Sequence, residues 1–226
     1  MGDEPSNQII EKELLTLSGG HTIGEAALIL GLLSKGQKFK AIEAPASWVR
    51  GGSETYIYPF SVVSIDGSSS PFILKAVTVF SIARSIDDIL NEWVSRRKLL
   101  ESTGIHVPRL LLAREGIILE EFIPYALKAF LKEQGEIDDL VAQVFRYAGI
   151  LARLGFQPIG AFHDLHTDGK NVIPVDFGED LGPAGVSNRK TMKLYADAID
   201  WLRKCNLHIK EQKAKELQDT YLEYMG

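Results

Sequence analysis

A single cysteine, Cys205, in a chain of 226 residues excludes an internal disulfide framework and a multi-cysteine zinc site. It lies in a helical stretch without an activating base nearby, so a buried, idle thiol is expected. Long apolar runs are missing as well. The longest, Ala26–Leu33, is far too short to span a bilayer, so no membrane partner is expected. There is no basic excess either: 25 Lys and Arg stand against 30 Asp and Glu, for a net charge of −5. A nucleic-acid footprint is therefore not expected. The nearest thing to a basic run, Arg96-Arg97-Lys98, reads as a solvated helix face. Met1–Asn7 are polar and acidic, unlike a secretory signal, which makes the cytoplasm the expected compartment. No repeat with a period of roughly 20–50 residues is visible, which argues against solenoids and propellers.

What is present is a change of regime along the chain. Residues 8–35 read as two short helices broken at Ser18-Gly19-Gly20. Lys38–Val49, interrupted by Pro45, reads as a strand, and Tyr56–Ile65 and Phe72–Phe80, rich in aromatic and β-branched residues, read as two more. Asp66–Pro71 is a hairpin turn between the last two, and Arg50–Thr55 is a glycine-bearing loop between the first two. A helix is predicted next, capped by Ser85, with Asp87 and Asp88 in its first turn and Gly104 at its end. Arg109–Ala113 and Ile117–Phe122 form a second hairpin around Arg114-Glu115-Gly116. Beyond Pro124 the pattern is helical over 126–132, 137–154 and 188–224, the last as one or two helices. It is interrupted by two short strands, Phe162–His166 and Asn171–Val175. The expected fold class is α+β: five antiparallel strands with one inserted helix over 1–123, then a reduced, mostly helical part over 124–226.

Four places carry chemistry. Lys75 sits in the middle of the apolar strand Ile73-Leu74-Lys75-Ala76-Val77, where its charge needs an anionic partner; the alternative is an edge-strand lysine reaching for water. Glu92 follows seventeen residues later on the predicted helix, with Asp88 one turn earlier as its rival. Phe162-His163-Asp164-Leu165-His166 and Val175-Asp176-Phe177-Gly178 flank the predicted polar hairpin.

This order of elements and these motifs resemble the protein-kinase-like superfamily, in particular its aminoglycoside phosphotransferase and small atypical kinase branch, over roughly Lys38–Gly185. The resemblance implies a two-lobed fold that binds Mg2+ and ATP and transfers the γ-phosphate to a hydroxyl of a small molecule or protein. It gives Lys75 the α- and β-phosphates, with Glu92 as its partner. Asp164 takes the catalytic position, orienting the acceptor hydroxyl and accepting its proton. Asp176 holds magnesium. Gly51, Gly52 and Ser53 form the phosphate loop. Glu120-Glu121-Phe122-Ile123 is the connector, with backbone groups of Glu121 and Ile123 on the adenine. The leading histidine of the family's motif is Phe162 here, and the asparagine expected five residues after Asp164 is Gly169. The second metal role then passes to Asp168 or Asn171, or is lost. No A-P-E-like anchor follows Gly178, which favours a small-molecule acceptor over a peptide.

Two other readings stand beside this one. Loss of the asparagine fits a nucleotide-binding pseudokinase or scaffold. A metal-dependent hydrolase would use the cluster His163, Asp164, His166 and Asp168, of which alternation along an extended strand would point Asp164, His166 and Asp168 to one side. No motif in 126–160 or 186–226 names an acceptor.

Overall fold

The computed structural model describes residues 39–43, 49–50, 55–64, 66–77, 85–114, 116–135, 137–158, 162–178, 181–183 and 192–226. The two predicted helices over 8–35 and the loop Gly51-Gly52-Ser53 lie outside the described residues. The fold is α+β. Its residues divide into two units: the chain to Val94 with Pro108–Phe122, and Ser95–Val107 with Ile123–Gly226.

The first unit is an antiparallel sheet in the order β1 (Phe39–Glu43), β3 (Thr55–Ser64), β4 (Ser69–Val77), β6 (Ile117–Glu121), β5 (Leu110–Arg114), with β2 (Val49–Arg50) also pairing with β3. The first predicted strand is thus two short ones. β2 pairs with Tyr56 and Ile57, and β1 with Ser61–Ser64. Pro59 falls between those stretches and stands opposite Ile73 on β4. The β3–β4 hairpin closes as its composition predicts. Gly67 adopts φ +86°, and the Ser68 N–H and hydroxyl both donate to Asp66 Oδ1 at 2.9 and 2.7 Å. Helix α1 (Ile86–Ser102) starts at a reciprocal cap: Asp88 N–H donates to Ser85 Oγ at 3.1 Å, and Ser85 Oγ donates to Asp88 Oδ2 at 2.7 Å. Gly104 at φ +79° ends it. The buried side chains of this unit include Phe60, Phe72, Leu74, Val77, Ile89, Leu90, Trp93 and Ile117–Leu119.

The second unit is built around α3 (Asp138–Leu154). Leu140, Val144, Tyr147 and Leu151 recur on one buried stripe, and Gly155 at φ +76° stops the helix. Against it pack α4 (Lys193–Lys204) and α5 (Glu211–Met225), while α2 (Leu127–Gln134) packs on a small sheet. That sheet is β10 (Val172–Pro174), β9 (Leu165–Thr167), β7 (Tyr125–Ala126); β8 (Phe156–Pro158) pairs with β11 (Leu181–Pro183). The buried face of α4 is Leu194, Ala198, Trp201 and Leu202, while Tyr195 and Ile199 are half-buried. Cys205 is buried, as expected, and burial pushes its thiol pKa up. Among the described residues, no helix is long and apolar enough to cross a membrane.

Candidate functional site

In the first unit the strand lysine is buried and paired. Lys75 Nζ lies 2.6 Å from Glu120 Oε1, and it stands 5.4 Å from the centroid of the Trp93 ring. The register explains the pair. Lys75 faces Ile118 across the β4–β6 ladder, and Glu120, opposite Ile73, is its diagonal neighbour on the same face. Sequence reading placed Glu120 only in the connector; as a strand residue with its side chain turned inward it was missed. Glu92 is half-buried on α1. Its rival Asp88 is exposed and engaged in the helix cap.

In the connector, Glu121 is exposed and its N–H donates to Arg109 O at 3.0 Å. Its Oε2 accepts from Arg109 N at 3.2 Å. The carbonyl of Ile123 lies 3.0 Å from His166 Nδ1. A carbonyl only accepts, so this ring nitrogen carries the proton.

In the second unit, the polar hairpin β9–β10 brings Asp164 and Asp176 onto one cleft, although they are twelve residues apart. Val175 N donates to Asp164 O at 3.0 Å and closes the base of the hairpin. The cleft is walled by Pro158, Phe162, Leu165, Pro174 and Leu181, with Tyr147, Asp164 and Asp176 as its polar members. Phe162 adopts φ +69° and is buried. Its ring meets Tyr147 and Trp201 edge-on at 6.3 and 6.1 Å. Aromatic packing holds this left-handed residue, which turns the chain so that Asp164 faces the cleft rather than the strand.

At the far end, the Gln143 amide clamps the hairpin to α3: Nε2 donates to Lys170 O at 2.9 Å, and Oε1 accepts from Val172 N at 2.8 Å. The turn is closed by Asp168. Its Oδ1 accepts from Lys170 N and Asn171 N at 2.8 and 2.7 Å, and its Oδ2 from Asn171 Nδ2 at 2.9 Å. Burial alone would raise the Asp168 pKa, but these bonds outweigh it and hold the carboxyl below its ordinary value. Asp168 and Asn171 are thus tied to each other, and neither lines the cleft that holds Asp164 and Asp176.

The hydrolase cluster does not assemble. Strand β9 begins only at Leu165, after a turn over Phe162–Asp164, so the alternation that would align Asp164, His166 and Asp168 is broken. Among the described residues no group of three or more His, Cys, Asp and Glu side chains could hold a metal ion. A cation held by Asp176 would therefore draw further oxygens from a ligand.

Two residues of this site escaped the sequence. Tyr147 was hidden in the apolar stripe of α3. Burial raises its phenol pKa, and the charges of Asp164 and Asp176 add to the rise, so it stays neutral beside both carboxylates. Arg96 corrects an expectation outright: Arg96 and Arg97 are 9% and 6% exposed and do not form a solvated face. Arg96 Nη1 donates to the carbonyls of Phe177 and Gly178, while Arg97 pairs with Glu101 at 2.9 Å. No model of a known protein family matches the chain, and no curated protein matches it.

Proposed function

We propose that this protein is an ATP-dependent phosphotransferase of the protein-kinase-like, two-lobed kind. The observation that supports the reading most is the hairpin that carries Asp164 and Asp176 to one cleft within the second unit. In this chemistry the protein contributes positioning and charge neutralisation rather than covalent steps. Asp176, with Gly178 N–H on Oδ1 at 2.9 Å, keeps its other oxygen for magnesium. Asp164, exposed and not part of a metal shell, orients the acceptor hydroxyl and takes its proton. Lys75 is assigned the phosphates of the nucleotide, with Glu92 and Glu120 as the carboxylates that keep its ammonium placed. Magnesium, when bound, supplies charge neutralisation between the phosphate oxygens.

The reading is tested by thermal-shift titration of wild type and Asp176→Asn with ATP, with and without magnesium. Ligand at about 100 times its dissociation constant stabilises a fold by about 2.7 kcal/mol. Magnesium-dependent stabilisation of wild type, lost in Asp176→Asn, is the expected result. No stabilisation of wild type by any nucleotide would remove the phosphotransferase reading.

One observation favours nucleotide binding without transfer. Gly169 replaces the expected asparagine, and both substitutes, Asp168 and Asn171, are spent on each other in the turn. ATP-dependent stabilisation with no phosphate transferred to any acceptor, and none to water, would decide for that pseudokinase reading.

A further inference from the structure

The segment Asp176-Phe177-Gly178 is held at four points, all within the second unit. The Phe177 ring is fully buried. Gly178 N–H donates to Asp176 Oδ1 at 2.9 Å, closing a two-residue turn of the carboxylate onto its own backbone. The carbonyls of Phe177 (at 3.4 Å) and Gly178 both accept from the same nitrogen, Arg96 Nη1. Gly178 is therefore gripped from both sides: its N–H fixes the Asp176 side chain, and its carbonyl is fixed by Arg96. Rotation of the Gly178 peptides, which would swing the carboxylate away from the cleft, requires breaking the guanidinium bonds. Bonds from a charged donor are stronger than those of a neutral pair, so Arg96 sets the resting orientation of this turn.

We infer that Arg96 is a positioning residue for Asp176, acting through the Gly178 peptide to present the free carboxylate oxygen to a magnesium ion. This rests on the phosphotransferase reading. It goes beyond it in assigning a function to a helix arginine that touches neither nucleotide nor metal. Outer partners that orient a metal ligand typically change metal affinity about 10–100-fold when removed.

The test is a magnesium titration of the ATP-induced thermal shift on the full chain, for wild type, Arg96→Met and Arg96→Lys. Stabilisation by ATP in EDTA serves as the metal-free reference. Arg96→Met is expected to raise the magnesium concentration for half-maximal stabilisation about 10-fold, with metal-free ATP affinity unchanged within a factor of about two. Arg96→Lys keeps a charged donor and recovers part of the shift. A purely structural arginine would lower the melting temperature of the free protein and leave the magnesium midpoint in place, and that result overturns the inference. If Arg96→Met does not fold, Arg96→Lys carries the test: a midpoint displaced by less than about twofold overturns it. A wild type that shows no magnesium-dependent stabilisation overturns the phosphotransferase reading itself, and this inference with it.

Discussion

Lys75 and Glu120 form an ion pair inside the sheet, Nζ to Oε1 at 2.6 Å, with side chains 6% and 2% exposed. Breaking a buried pair by removing one partner costs about 3–5 kcal/mol, because the remaining charge stays in a poorly polarisable site. Replacing both partners by apolar side chains of similar volume is far cheaper. Lys75→Met and Glu120→Leu are each expected to lower urea stability by that amount, and the double variant by clearly less than their sum. A double-mutant cycle that closes additively would show that the two charges are not coupled.

Gly149 is where α3 meets α5. A Cβ at this position would stand 2.5 Å from Tyr221 O, 3.0 Å from Tyr224 Cβ and 3.2 Å from Met225 N. Two of these are backbone atoms, which cannot step aside without moving the helix. Gly149→Ala gains about 1 kcal/mol of helix propensity, yet overpacking costs about 1–3 kcal/mol and is expected to dominate. A urea midpoint at or above wild type, with unchanged slope, would show that the helices can separate freely.

What the sequence disclosed follows from how local each signal is. The β3–β4 and β9–β10 turns were legible because Asp66, Gly67, Asp168 and Gly169 impose turn geometry within a few residues. The α1 cap was legible from Ser85 and Asp88 alone. The Lys75–Glu120 pair was not, because it depends on the β4–β6 register, which joins residues far apart in the chain. Arg96 was misjudged for a related reason: a basic triplet looks solvated until the carbonyls of Phe177 and Gly178 are brought to it. Strands of two or three residues, such as β7, β8 and β11, are too short for alternation to register. The interruption of the first strand was legible too, because Pro45 lies between β1 and β2 in the sequence. Of the candidate site, Asp164 and Asp176 were legible as motif residues, whereas Tyr147 looked like core because its neighbours on α3 are core.

The Asp168 turn gives an acid-side signature. Its carboxyl is held below the ordinary value by bonds from Asn171 and Lys170, against the opposing effect of burial. A depressed carboxyl stabilises the fold above its unfolded value, near pH 4, and loses that contribution as pH falls through the lower folded value. Asp168→Asn is therefore expected to melt below wild type above about pH 5, with the gap closing as pH drops beneath about 4. A gap independent of pH would mean that the bonds to Asp168 owe nothing to its charge.

The alkaline side is governed by buried tyrosines. Tyr221 is fully buried on α5 and packs on Tyr195 with ring centroids 5.8 Å apart. Burial, with a smaller push from Asp197, moves its phenol up to about 12. Once unfolded it titrates near pH 10. Because the folded value is raised, the contribution is complete below pH 10 and is lost as pH rises towards 12. At about 1.4 kcal/mol per unit, the loss across that window is about 2–3 kcal/mol. Tyr147 acts in the same direction, through its own burial and the charges of Asp164 and Asp176. Tyr221→Phe is expected to narrow the stability difference between pH 8 and pH 11.5 by about 2 kcal/mol, whatever the substitution costs at pH 8. Urea midpoints at the two pH values measure it. A variant that loses as much stability as wild type over this range would show that the Tyr221 hydroxyl reaches water in the folded state.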